Sequence, residues 1–387
     1  MTTTVQTTTA NENGNRRPLM LALVGVFGLA AIGYGFYWSS YARYHVDTDN
    51  AYVAGNIVQI TPQTAGTIVS IGADDTDLVQ AGQPLVKLDR ADAELAVDTA
   101  DAQLGQTVRE VKTLFANDGA LKAAVTLREA DLARAKEDLV RRQGLAGTGA
   151  VAAEEIEHAR DTVKTSEAAL QAAKDQLASN QALIDKTTPK QHPNVRRAAL
   201  KVREAQLALE RTTVLAPVTG FVAHRVAQPG QRVAVGSPLM AVVPLDQVWV
   251  DANFKESQLA DMRIGQPVEV HADVYGKDVT YHGKIAGFAA GTGTAFSLLP
   301  AQNATGNWIK VVQRLPVRVT LDAKELAEHP LRIGLSMRAD VDTRDRSGPT
   351  LPSAVRTNPV AETNVFAGQA TNADKQADTA LNAAAGQ

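Results

Sequence analysis

Cysteine is absent from the 387-residue chain, which excludes disulfide staples, thiolate metal sites and a cysteine nucleophile. Aromatic residues are scarce, at 5% of the sequence. Charge of one sign is also lacking: the formal net charge of −3 supplies no basic field, so nothing favours nucleic acid as a partner. There is no Gly-x-Ser-x-Gly elbow and no HExxH spacing. Long apolar runs are missing too, apart from one near the N-terminus.

What the chain has instead is a long alanine-rich, charge-studded stretch, residues 90–211, keyed to a seven-residue repeat. Val97, Leu104, Val111, Asp118, Val125, Leu132 and Leu139 follow one another by sevens, apolar except at Asp118. Ile156, Val163, Leu170, Leu177 and Ile184 form a second series without exception. Such spacing keeps one stripe of side chains facing a partner helix. Between the series, Gly144, Gly147 and Gly149 supply the conformational freedom for a reversal. The expectation is an antiparallel coiled-coil hairpin with arms at 91–143 and 152–211, a break near 187–194, and a length of about 75 Å. Asp118 reads either as a local irregularity beside Asn117 and Gly119 or as a register pin between neighbouring hairpins. Ala100, Ala135, Ala159 and Ala173 lie near the seams and would allow close helix approach.

Residues 1–18 are Thr/Asn-rich and read as a cytoplasmic tail; residues 19–40 then form an apolar segment long enough to span a bilayer core of roughly 30 Å. Arg16 and Arg17 precede it, which sets the N-terminus in the cytoplasm. Tyr34, Phe36, Tyr37, Trp38, Tyr41 and Tyr44 gather at its far end, where amphipathic rings suit an interface. A cleaved signal peptide would have a shorter apolar core ending in small residues. The expected topology is a single span with everything after Tyr41 on the far side of the membrane.

Two segments flanking the hairpin repeat each other. Gly66, Val79, Gly82, Pro84 and Leu85 match Gly220, Val233, Gly236, Pro238 and Leu239 in spacing. Each half alternates β-branched residues with turn signals. The arrangement resembles the biotinyl/lipoyl-carrier fold, with residues 47–89 and 212–245 as its two halves. A carrier would place its modified lysine at the turn joining them. Lys87 instead falls within a strand pattern, between Val86 and Leu88 on the opposite face, so no covalent cofactor is expected. Residues 246–343 read as a small β-barrel with strands near 248–254, 268–274, 279–288, 308–321 and 335–342 and a short helix around 256–262. Residues 344–387, poor in large apolar side chains, read as a disordered tail. The fold class is therefore α+β and multidomain: one transmembrane helix, a split lipoyl-like sandwich, a long helical hairpin and a small barrel.

Candidate ligand sites fare poorly. Glu154 and His158 share a helix face, but no second cluster accompanies them, so a solvated i,i+4 pair is expected. The turns around Asp47-Thr48-Asp49-Asn50 and Asp74-Asp75-Thr76-Asp77 lack the glycine and terminal glutamate of a calcium loop. Gly291-Thr292-Gly293-Thr294 lacks a phosphate-binding lysine. No catalytic or metal site emerges, and the chain does not read as an enzyme.

Three stretches carry a family resemblance. Residues 48–53 (Thr-Asp-Asn-Ala-Tyr-Val), 248–256 (Val-Trp-Val-Asp-Ala-Asn-Phe-Lys-Glu) and 296–310, containing Phe296, Asn303, Thr305 and Trp308, resemble the EmrA branch of the HlyD-type periplasmic adaptors, or membrane fusion proteins. The resemblance runs from about Tyr44 to Asp342. It implies an adaptor in a tripartite drug efflux pump, with an inner-membrane major-facilitator drug:proton antiporter and a TolC-like outer-membrane channel as partners, and with hydrophobic, often weakly acidic toxicants as cargo. Adaptors that meet TolC often carry Arg-x3-Leu-x6-Ser at the hairpin tip. Here Arg141 and Leu145 match and Ala152 replaces the serine, so these residues are the expected outer-channel contact. Phe296, Asn303, Thr305 and Trp308 are the expected segment for coupling to the inner pump.

One hairpin cannot enclose a channel, so a homo-oligomer is expected. Two other readings share part of the pattern. An HlyD-like adaptor for protein secretion would pair with an ABC transporter. A membrane-tethered coiled-coil scaffold or polysaccharide co-polymerase would explain the anchor and helices without needing the split β repeat.

Overall fold

The computed structural model describes residues 2–4, 16–184, 187–296, 311–352 and 355–386. In chain order the elements are helix α1 (Arg16–Tyr37), strands β1 (His45–Ala54), β2 (Val58–Ile60), β3 (Gly66–Ile71), β4 (Leu78–Val79) and β5 (Pro84–Leu88), then helices α2 (Ala91–Leu145), α3 (Ala153–Ile184) and α4 (Pro193–Glu210). Strands β6 (Thr213–Leu215), β7 (Gly220–Ala223), β8 (Arg232–Val233) and β9 (Met240–Val243) follow. The chain then forms β10 (Trp249–Lys255), β11 (Pro267–Ala272), β12 (Tyr281–Phe288), β13 (Arg314–Leu321), α5 (Ala323–Glu328), β14 (Ser336–Asp342) and α6 (Val365–Gly386). They fall into two compact units: residues 1–57 with 243–361, and residues 58–242 with 362–387.

The first unit is built on a closed barrel of order β1-β10-β13-β12-β11-β14. Alternation dictates its core. Val250, Ala252 and Phe254 of β10, Val268, Val270 and Ala272 of β11, and Met337, Ala339 and Val341 of β14 are all buried, while their neighbours face outward, as period-2 side chains require. Tyr281 is fully buried; its hydroxyl donates to the His329 carbonyl at 2.9 Å, and burial pushes its pKa up to about 12. Residues 47–89 were expected to belong wholly to the sandwich, and this is corrected: β1 is the sixth barrel strand, pairing Ala51 with Ala252 on one side and with Met337 on the other. Closure supplies the reason, because five strands would leave two unpaired edges.

The segment Met20–Ala42 is long and apolar enough to cross a membrane, and its far end is tied to the barrel. The Tyr41 ring stacks on His45 with centroids 3.8 Å apart, His45 Nδ1 lies 3.2 Å from Asp340, and the Thr343 hydroxyl donates to the Tyr44 carbonyl at 2.8 Å.

In the second unit, two four-stranded sheets face each other, of order β2-β9-β7-β4 and β6-β5-β3-β8. Exchanging the two sequence halves converts one order into the other, so the repeat is a structural two-fold. Gly82 and Gly236 both take left-handed backbone, φ 86° and 81°. Their N–H groups donate to Ala216 and Pro62 across the halves at 2.8 and 3.1 Å. Val79, Val233, Leu85 and Leu239 are buried in the shared core, each contributing roughly 1.5–3 kcal/mol. Lys87 stands exposed on β5 between buried Val86 and Leu88.

Helix α2 is 55 residues, about 80 Å at 1.5 Å per residue. It packs along α3 and α4. The returning arm breaks between Ile184 and Pro193, where Pro189 and Pro193 cannot donate the helical N–H. His192 occupies the break: it is buried, its Nδ1 accepts from the Asn194 N–H at 3.2 Å, and its Nε2 donates to the Leu183 carbonyl at 3.0 Å.

The disordered tail expected over 344–387 is a second correction. Residues 365–386 form α6, whose Ala377, Ala380, Leu381 and Ala384 join a cluster with Leu104, Val108, Val111, Val195 and Val202. Arg203 of α4 pairs with Asp374 of α6, and Gln369 donates to the carbonyls of Glu210 and Thr213 at 3.1 and 3.2 Å. Low apolar content is a poor sign of disorder here. Alanines at spacings of three and four let two helix backbones approach closely, and a neighbouring helix supplies the large side chains.

Candidate functional site

The base of the hairpin and its far half differ in packing. Near the sandwich, Leu104 and Val111 are fully buried in the cluster shared by α2, α4 and α6. Beyond Phe115, which still packs against that cluster, α2 pairs with α3 among the described residues, and Leu132, Leu139, Ile156, Val163, Leu170 and Leu177 are half-buried, with Ile184 buried at the break. A two-helix seam shields each side chain from one direction only. Polar ties cross it: Asn180 Nδ2 donates to the Leu114 carbonyl at 3.2 Å, and the exposed pairs Lys136–Glu167 and Lys174–Glu129 lie at 3.0 and 3.5 Å. Asp118 instead pairs within its own helix, with Lys122 at 2.7 Å; its other carboxylate oxygen is buried without a hydrogen-bond partner.

At the tip, α2 ends at Leu145, a short turn runs to Thr148, and Gly149 reverses the chain in left-handed geometry at φ 75°, a conformation that costs glycine little. Asp138 organises the cations there. One oxygen accepts from Arg141 at 2.6 Å and the other from Arg142 at 2.7 Å, and these hydrogen bonds hold the Asp138 carboxyl below its ordinary pKa. Arg142 also reaches Glu155 on the first turn of α3, 3.6 Å away, so it braces the turn. Arg141 is the outward one, with 69% of its side chain exposed. Leu145 is 43% exposed and Ala152 is exposed just before α3. The tip therefore presents a cation, an apolar side chain and a small residue on one reversal. The bracing role of Arg142 was not legible in sequence, because Glu155 approaches it only once the chain has turned.

Phe296 ends the described part of the loop after β12 and is 72% exposed; its ring lies over Gly291, where an added Cβ would come within 2.9 Å. Asn303, Thr305 and Trp308 lie outside the described residues. Among the described residues no group of His, Asp or Glu is arranged to hold a metal ion. Glu154 and His158 are an exposed pair at 3.6 Å. The acidic turn at residues 74–77 is closed by Arg225, whose Nε lies 2.7 Å from Asp74 and whose backbone N–H donates to Asp75 at 2.9 Å; the arginine holds Asp74 below its usual carboxylate pKa.

Comparison with known proteins bears on this geometry. The family model of the EMRA alpha-helical hairpin domain matches residues 91–212. The chain is 47% identical over 350 residues to the Multidrug export protein EmrA of Escherichia coli (strain K12), covering 90% of each. It is 48% identical to the Fatty acid resistance protein FarA of Neisseria gonorrhoeae, covering 90% of this chain and 89% of that one. It is 45% identical to the Multidrug export protein EmrA of Haemophilus influenzae, covering 86% and 85%. With identity of this level over nine-tenths of its length, the chain belongs to the EmrA family of membrane fusion proteins, periplasmic adaptors that are not enzymes.

Proposed function

We propose that this adaptor serves a tripartite multidrug efflux system, joining an inner-membrane major-facilitator drug:proton antiporter to a TolC-like outer-membrane channel. The observation that carries the reading is the 47% identity, over 90% of both chains, to a protein named for multidrug export. The helix α1 anchors the chain with its N-terminus in the cytoplasm and its bulk in the periplasm, since Arg16 and Arg17 precede the apolar run. Several copies assemble side by side, and their hairpins line a conduit. The tip residues Arg141, Leu145 and Ala152 meet the outer channel. Residues 296–308, including Phe296, Asn303, Thr305 and Trp308, couple to the inner pump. The cargo is hydrophobic and includes acids; one relative is named for fatty acid resistance.

Crosslinking in intact cells followed by purification of the chain from membranes tests this assembly. The expected result is recovery of a major-facilitator transporter and an outer-membrane channel together with several copies of this chain. Recovery of an ABC transporter in place of the major-facilitator protein would overturn it in favour of a protein-secretion adaptor.

A further inference from the structure

Many cations of the second unit pair with carboxylates. Arg203 pairs with Asp374, Arg225 with Asp74, and Arg142 with Asp138. Arg211 is one of those without such a pair. It caps the C-terminus of α4, it is half-buried, and among the described residues no carboxylate pairs with it. It lines a cleft of about 270 Å³ between the edge of the sandwich and the first turn of α6. Ile60, Leu215, Pro217 and Phe366 supply the larger, apolar part of its lining, and the side chains of Gln59, Gln63 and Gln369 stand beside them. The α6 side of the cleft is held in place by Gln369, which donates to the carbonyls of Glu210 and Thr213, and by the Thr363 hydroxyl donating to the Pro217 carbonyl at 2.7 Å.

We infer that this cleft binds a small hydrophobic monocarboxylate, with Arg211 taking the carboxylate and Phe366, Leu215 and Pro217 covering the apolar body. The chemistry follows from the lining. A guanidinium offers two parallel N–H donors that match a carboxylate's geometry, and a half-buried cation beside apolar walls gains from an anion that brings its own hydrocarbon. The volume equals about nine water molecules at roughly 30 Å³ each, room for a short alkylbenzoate or a medium-chain acid. The favourable position of a cation at a helix C-terminus explains why an arginine is tolerated at residue 211. It does not explain the apolar cleft in front of it. The inference stands on this cleft alone and does not depend on which transporter or channel the adaptor joins.

The test uses the full chain in lipid nanodiscs, titrated calorimetrically with 4-ethylbenzoate and, separately, with the neutral 4-ethylbenzamide. Saturable binding of the acid, weaker for the amide by about tenfold or more, is expected. Arg211→Gln should weaken the acid by a similar factor and leave the amide unchanged, while Arg211→Lys retains part of the affinity. Arg232→Gln, on the exposed edge strand β8, should change nothing. Melting curves of each variant separate lost binding from lost folding. Equal binding of acid and amide, indifference to Arg211→Gln in a folded variant, or no saturable binding of the acid at millimolar concentration would each overturn the inference.

Discussion

His192 Nε2 lies 3.0 Å from the carbonyl oxygen of Leu183, joining the end of α3 to the start of α4 across the only break in the returning arm among the described residues. Helix ends leave carbonyls and N–H groups without intrahelical partners, and this one imidazole satisfies one of each. Its Nδ1 must be unprotonated to accept from Asn194. Replacing His192 with alanine should destabilise the arm by about 1–2 kcal/mol. Chemical denaturation of purified protein measures it, and an unchanged midpoint would show that water replaces the imidazole without loss.

The two halves of the sandwich differ at the turn that holds Thr76 in one and Gly230 in the other. Gly230 takes φ 82° and its N–H donates to Ile68 at 2.8 Å; at the equivalent position Thr76 takes φ 77° and donates to Val222 at 2.9 Å. A β-branched residue pays about 1 kcal/mol or more for this left-handed conformation. Thr76→Gly should therefore stabilise the protein by about 0.5–1 kcal/mol, the greater freedom of glycine in the unfolded chain offsetting part of the gain. A lower thermal midpoint would be the opposite of what the turn geometry requires.

Truncation after Ala361 removes α6 and uncovers the cluster around Val195, Val202 and Leu104. The loss should be about 2–4 kcal/mol, with increased binding of a hydrophobic dye and earlier proteolysis between α3 and α4. If the truncated chain melts like the intact one, α6 contributes nothing to the base of the hairpin.

Arg141→Asp combined with Leu145→Ser should abolish drug resistance while the protein stays folded and bound to membranes, because both side chains point outward at the reversal. Arg142→Ala is expected to act differently: it loosens the Asp138–Arg142–Glu155 brace and should raise proteolysis at the tip. Wild-type resistance in the double variant would move outer-channel docking away from the tip.

A pH dependence is expected from the barrel. His282 Nδ1 lies 2.7 Å from Glu325, and this hydrogen bond raises the histidine's pKa above its ordinary value. A raised folded pKa means the stabilisation is fully present below about pH 6.5, the unfolded value, and is lost as pH rises through the folded pKa. The imidazole is 65% exposed, so solvent screening keeps the contribution within about 1 kcal/mol. His282→Gln should flatten stability between pH 6 and 8. An identical pH profile in the variant would assign the slope elsewhere.

The periodic elements were legible before any fold was known. Sevenfold spacing from Val97 to Leu139 and from Ile156 to Ile184 determines two arms, since nothing but a partner helix would cover such a stripe. The matched glycines, valines, prolines and leucines of the two half-motifs determine the sandwich, because left-handed turns at Gly82 and Gly236 and buried leucines at 85 and 239 recur at one spacing. The apolar run before Trp38 determines a segment long enough to cross a membrane. What tertiary structure decided depends on residues distant in the chain. Strand β1 reads equally well as sandwich or barrel, and only the open edges of β10 and β14 draw it into the barrel. Helix α6 is too poor in large side chains to fold on its own pattern, and it becomes a helix because α4 and α2 offer it a hydrophobic face. Arg211, Phe366 and Ile60 share a cleft though 306 positions separate the outermost pair, and no local periodicity encodes that meeting.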